Sequence, residues 1–231
     1  MASVFTLDIS GTLLAVLFGV TIFYLGLNMW WFFIAILIDF LILSSLATHA
    51  KEDSKALLKG YEKTRSWKNV VANGLVPVAV VIVYFLFENL LGVSVLHAEI
   101  IVFAFVASVA AITADKFASE FGVLGAQEPK DLITRKRVKK GISGGVTWFG
   151  TLMGLAASFL IGLSVFALGA QVVVFVVVVV AGVLGNAVDS LLGHFEEKGI
   201  GNKYTSNLLC SVAGALFCAA VLYVLPVSLL V

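Results

Sequence analysis

Charge is scarce in this chain. Asp, Glu, Lys and Arg make up 13% of its 231 residues, against 61% hydrophobic residues, and the mean hydropathy is +1.08. A soluble domain carries about a quarter charged and roughly half apolar residues. So large an excess cannot be hidden inside a soluble fold of this size, so the bilayer must cover the rest. That excludes soluble enzymes and nucleic-acid-binding proteins. Histidine is also sparse: His49, His97 and His194 are scattered without metal-ligand spacing and read as structural residues. The two cysteines, Cys210 and Cys218, stand roughly 12 Å apart along one helix, too far for a disulfide. They read as small apolar filler. No basic segment precedes the first apolar stretch, so no cleavable signal peptide is expected.

What is present is a series of long apolar runs. A membrane-crossing helix needs about 20 such residues, and seven runs qualify: 11–27, 29–48, 70–92, 97–117, 144–168, 172–193 and 206–230. The expected fold class is all-α: a polytopic integral membrane helical bundle of seven transmembrane helices, or six, in one domain covering 1–231. The Val172–Val180 run favours strand by propensity, but no closed barrel accommodates the long runs beside it, so helix is expected. Lys and Arg are absent before residue 49; six lie in 49–69, seven in 114–143 and two in 194–205. Seven spans put all three basic segments on one face together with the N-terminus. The positive-inside rule makes that face cytoplasmic and leaves the C-terminus outside the cell membrane.

The acidic residues follow the same polarity, with Asp115, Glu120, Asp189 and Glu196 at the same ends of their helices. Gly182, Gly185, Asn186, Asp189, Ser190 and Gly193 form one stripe at helical spacing on an otherwise Val- and Leu-rich span. A small-residue packing seam explains the glycines but not a carboxylate, which is costly at that depth without a partner. Asp115 and Ser119 share a helix face, while Lys116 and Glu120, also four apart, have the spacing of a plain ion pair. Two carboxylates from separate helices suit Mg²⁺, with phosphate oxygens and water completing its shell. The loop containing Arg135, Lys136, Arg137, Lys139 and Lys140 runs into Ser143-Gly144-Gly145, taken as the start of the fifth span. Glycines at a helix N-terminus let phosphate oxygens approach free backbone N–H groups. Asp39, near the middle of the second span, is a further candidate, for function or for a local hydrogen bond.

These words, in this order, resemble one family, the membrane proteins that include the plant phytyl-phosphate kinase of vitamin E biosynthesis and transmembrane protein 19. The matching stretches include Arg65–Pro77, Ala110–Gly125, Gly141–Thr151, Gly182–Gly193 and Ser206–Ala215, covering nearly the whole chain. The resemblance implies a kinase moving a phosphoryl group from a nucleoside triphosphate to an isoprenoid monophosphate. It points at Asn73, Asp115, Ser119, Glu120, Ser143, Gly144, Gly145, Asp189, Ser190 and Asn207. Lys116 stands where the family commonly has Thr, and His194 where a small residue is usual.

The expected mechanism has Asp115, Glu120 and Asp189 holding Mg²⁺ against nucleotide phosphates, CTP favoured by analogy with other membrane isoprenoid kinases. Lys116, the basic loop and Ser143-Gly144-Gly145 would cradle phosphates. The acceptor is already an anionic phosphate, so no strong general base is needed. Partners are then the isoprenoid phosphate, the nucleotide, the bilayer and a possible second copy of the chain. Two other classes use similar parts. An ion-coupled transporter would line a through-path with Asp39, Asp115 and Asp189. A lipid cytidylyltransferase would release pyrophosphate.

Overall fold

A computed structural model describes residues 7–55, 64–91 and 95–225. Residues 226–231 of the last run, Lys59 and Lys63 of the first basic segment, and the side chain of His97 lie outside that description. The chain is helical along almost all of its apolar sequence: α1 Ile9–Leu25, α2 Trp30–His49, a one-turn α3 Glu52–Lys55, α4 Trp67–Leu86, α5 Val95–Gly122, α6 Trp148–Ala167, α7 Val172–Glu196 and α8 Lys203–Val224. Among the described residues, strand pairing is limited to a two-residue antiparallel pair, β1 Lys130–Asp131 with β2 Gly145–Val146, and to single bridges between Leu7 and Arg65 and between Lys130 and Arg137. The Val172–Val180 run is helical, since a helix satisfies every backbone group within its own segment.

Among the described residues, six helices are long and apolar enough to cross a membrane. The expected seventh, α1, is shorter, at 17 residues. Its start is fixed by the Asp8 carboxylate accepting from the Gly11 N–H at 2.7 Å, and the Gly26 turn ends it. Asp8 is exposed, and its bonds from Ser10 and Gly11 hold its carboxyl below the usual range.

Helix α5 runs through the centre. In its most apolar stretch 89% of residues are buried, against 28–39% in the other five long helices. It is built for that position by small residues that let neighbours approach closely. A Cβ added to Gly150 of α6 would stand 2.7 Å from the Ala118 carbonyl oxygen, and one on Gly214 of α8 2.8 Å from that of Ala107. Helix α7 reaches α5 and α8 the same way through Gly185, whose Cβ would lie 2.8 Å from the Cys210 carbonyl oxygen. Around this core α1, α2 and α4 form an outer layer built from larger side chains. At one end Phe33 of α2 packs edge-on against Tyr84 of α4 and Phe105 of α5, with ring centroids 5.4 and 4.8 Å apart.

The opposite rim gathers the ends of α2, α5 and α7 and the starts of α4, α6 and α8. The Asp8 N–H donates to the Arg65 carbonyl at 2.9 Å, so α1 also begins there. The three basic segments and the start of α1 therefore share one rim, the grouping the charge distribution implied.

Candidate functional site

The site begins with the two carboxylates. Asp115 on α5 and Asp189 on α7 each stand seven residues before the end of their helix, roughly 10 Å inside the rim. They lie deeper than the helix ends on which the sequence seemed to place them, because both helices continue for two further turns. The small residues of the stripe bring α7 against α5, and the two carboxyl groups lie close enough to interact. Two carboxylates this close repel unless a proton or a cation lies between them.

Glu120 does something different. Its Oε1 accepts from Lys116 Nζ at 2.7 Å and from Arg65 Nη2 at 3.0 Å, so it is the acid of an ion cluster. Among the described residues no group of three or more His, Cys, Asp or Glu side chains is arranged to hold a metal. Of the expected ligand triad, Asp115 and Asp189 come together while Glu120 faces Lys116 and Arg65. The physical reason is that two cations turn Glu120 towards themselves. A pair still fits Mg²⁺, which usually takes one or two carboxylates and fills its shell with water and phosphate oxygens.

Helices α4 and α8 complete the polar wall. With the Asn207 amide oriented so that its nitrogen meets acceptors, Nδ2 donates to the Lys203 carbonyl at 2.8 Å and to Asp189 Oδ1 at 3.3 Å. The same amide lies 3.1 Å from Asn73 Oδ1. Glu196 accepts a short hydrogen bond from Ser206. Helix α8 is started by Asn202, which forms a reciprocal capping box with Thr205.

The glycine turn is not the open amide nest the sequence implied. Ser143-Gly144-Gly145 runs into β2, and α6 begins only at Trp148, capped by Thr147. The Ser143 N–H donates to Glu197 Oε1 at 3.2 Å, and the Gly145 N–H to the Ile142 carbonyl at 3.2 Å. Gly144 has φ +76°, and a Cβ there would stand 2.6 Å from the His194 backbone nitrogen. Its missing side chain serves the contact between loop and α7.

The basic loop is likewise elsewhere. Arg135, Lys136, Arg137 and Lys139 are exposed and do not border the cavity described below. Lys140 Nζ donates to the Gly125 carbonyl at 2.5 Å, and Arg137 pairs with Glu128 at 3.5 Å. The loop is anchored by Asp131, whose Oδ2 lies 2.7 Å from His194 Nδ1 and whose Oδ1 accepts from the Thr134 N–H at 2.6 Å. Burial pushes the Asp131 carboxyl up, but the bonds from Thr134 and His194 outweigh it and hold the group at about 2. His194 thus has a structural partner, as does His49, whose Nδ1 meets the Ser45 carbonyl at 2.8 Å.

The aspartate pair and the polar groups around it open on one cavity of about 990 Å³. Asn73, Asp115, Lys116, Ser119, Glu120, Asp189, Ser190 and Asn207 border it, as do Ser143, Gly144 and Gly145. Sequence reasoning missed Arg65 and Lys203, which also line it. From the polar end an apolar arm continues between α1, α2 and α4, past Phe18, Leu37, Leu41 and Pro77. Asp39 does not line it.

Fold and cavity together define a polytopic integral membrane protein whose buried polar chamber, at one rim, opens into an apolar arm. The chain belongs to the family described as Integral membrane protein DUF92, whose model matches residues 2–211. It is 35% identical over 187 residues to an uncharacterized membrane protein of Methanocaldococcus jannaschii, covering 80% of this chain and 74% of that one. It is also 32% identical over 181 residues to Protein PGR of Arabidopsis thaliana, covering 69% of this chain and 62% of that protein. No solved structure matches the chain.

Proposed function

We propose that this protein is a membrane-embedded kinase that transfers a phosphoryl group from a nucleoside triphosphate, CTP favoured, to an isoprenoid monophosphate. The observation that carries the reading is the two-part cavity. A carboxylate pair with nearby cations suits phosphate chemistry, and the apolar arm beside it suits a hydrocarbon tail. The resemblance to the phytyl-phosphate kinase family supports the same reaction.

Phosphoryl transfer is mostly positioning and charge neutralisation. The polar end sets four acids, Asp115, Glu120, Asp189 and Glu196, against three cations, Arg65, Lys116 and Lys203. Phosphates entering so acidic a chamber need a divalent cation with them. Mg²⁺ held by Asp115 and Asp189 would supply charge neutralisation on the phosphate oxygens. Asn207 holds Asp189 in place through its amide. Lys116 and Arg65, fixed by Glu120, orient phosphate oxygens by hydrogen bonding and charge. The acceptor phosphate attacks the γ-phosphorus as its anion, the bond to the nucleoside diphosphate breaks, and no proton has to be removed. On this reading the rim carrying the basic segments and the N-terminus faces the cytoplasm, where nucleotides are.

The test is incubation of purified protein with Mg²⁺, a γ-labelled nucleoside triphosphate and a panel of prenyl monophosphates. Label is expected in a prenyl diphosphate. Label released as pyrophosphate would mark the cytidylyltransferase instead. A transporter would give neither product, and nothing observed favours one, since Asp39 lies apart from the cavity of Asp115 and Asp189.

A further inference from the structure

We propose that the apolar arm holds a single hydrocarbon chain that enters sideways from the bilayer, and that Gly19 of α1 sets how long a chain fits. The inference rests on reading the chamber as an amphiphile site and adds the route and the length limit.

The sideways route follows from the arm's walls. On α2, Ile38, Leu41, Ile42 and Leu46 border the arm and are 50–62% exposed. Apolar side chains this exposed along the wall of an arm between outer-layer helices leave the arm open towards the bilayer. An amphiphile can therefore keep its tail in hydrocarbon while its head reaches Asp115 and Asp189.

The length limit follows from α1. Ala15, Phe18, Gly19 and Ile22 of α1 border the arm, over roughly 10 Å of helix rise. Beyond it the way is closed: Ile22 is 1% exposed, and Phe32 and Phe33 are fully packed. The arm's width is set by an exchange between α1 and α4. Phe18 lies on Gly74, where a Cβ would stand 2.7 Å from the ring, while a Cβ on Gly19 would meet nothing within 4 Å. Gly19 thus faces open space partway along the arm, and a bulky residue there would close the distal part without displacing a neighbour. Among the described residues one apolar arm leads from the polar end, so the occupant has one chain, unlike a two-chain membrane lipid.

The test measures binding without nucleotide, as thermal stabilisation of the protein in nanodiscs with Mg²⁺. Prenyl monophosphates of increasing length are compared with inorganic phosphate, a prenyl alcohol and two-chain phosphatidic acid. Stabilisation is expected to grow with chain length and then level off, to be weaker for the alcohol, and to be absent for phosphate alone. Gly19→Phe should move the levelling-off point to shorter chains and cost the longest chains about tenfold in affinity, with Gly19→Ala close to the parent. Ile38→Trp, on the α2 wall at about the depth of Gly19, is the second variant and should shift the profile the same way if Gly19→Phe does not fold. Stabilisation independent of chain length, equal stabilisation by phosphatidic acid, or a profile unmoved by both variants would overturn the inference. Chain-length dependence without phosphoryl transfer would sink the kinase reading alone, and transfer without chain-length dependence would sink this inference alone.

Discussion

The two layers of this molecule are packed by opposite means. In the α5–α8 core, Gly150, Gly185 and Gly214 bring helix backbones together until a single methyl group would collide with a carbonyl oxygen. In the outer layer of α1, α2 and α4, large side chains meet and leave an arm between them, and Gly19 has nothing within 4 Å. The core layer carries Asp115 and Asp189, which on the proposed kinase reading need fixed geometry, since positioning is most of the catalysis available to a phosphoryl-transfer site. The outer layer borders the proposed tail site, where tolerance serves a flexible chain. On that reading rigidity and open space are divided between layers according to what each binds.

The comparison can be broken by substitution. The largest effect is expected at the carboxylates: Asp115→Asn and Asp189→Asn should each lower phosphoryl transfer by about 10²–10³-fold, read as labelled product per unit time. Loss in only one variant would mean that the pair does not act as a unit. Next, Gly185→Leu in the tight core should destabilise the protein by about 1–3 kcal/mol through overpacking, measured by thermal unfolding in detergent. Gly19→Ala in the open layer should leave stability unchanged or slightly raised, as Ala favours helix; equal losses at both sites would erase the distinction between layers.

A smaller effect belongs to the cations. Glu120→Gln should raise KM for the anionic substrates more than it lowers kcat, because Lys116 and Arg65 lose the anionic charge that fixes their orientation.

Acid dependence comes from Asp131. Its carboxyl is held at about 2, below the ordinary 3.8, so it contributes stability that is complete above about pH 4 and fades as pH falls towards 2. Asp131→Asn should flatten that part of the thermal stability profile. The smallest effect is expected at Lys139: Lys139→Ala, on the exposed loop, should shift stability by under about 0.5 kcal/mol.

The helical bundle and the two aspartates were legible in the sequence, because a carboxylate inside a Val- and Leu-rich helix has few explanations. The helix-spaced stripe on α7 also announced the glycines that pack. Other parts were hidden for identifiable reasons. Arg65 and Lys203 sit at the starts of α4 and α8, and only the tertiary arrangement brings them to the chamber of Asp115 and Asp189. Gly144 looked like a phosphate cradle because sequence does not say what lies against a glycine; here it is the backbone of α7. The basic loop gave a charge count without a direction, and Asp131 with His194 anchors it away from the chamber. The apolar arm left no sequence signal, since Leu41 lining a cavity and Leu13 facing lipid are the same letter.

The claim that matters most is that Asp115 and Asp189 together hold one divalent ion against phosphate. Electron paramagnetic resonance of Mn²⁺, added in place of Mg²⁺ with a nucleoside triphosphate, measures this directly. A bound-ion spectrum is expected with the parent protein and should vanish in Asp115→Asn and in Asp189→Asn. An undiminished spectrum in the double variant would contradict the account.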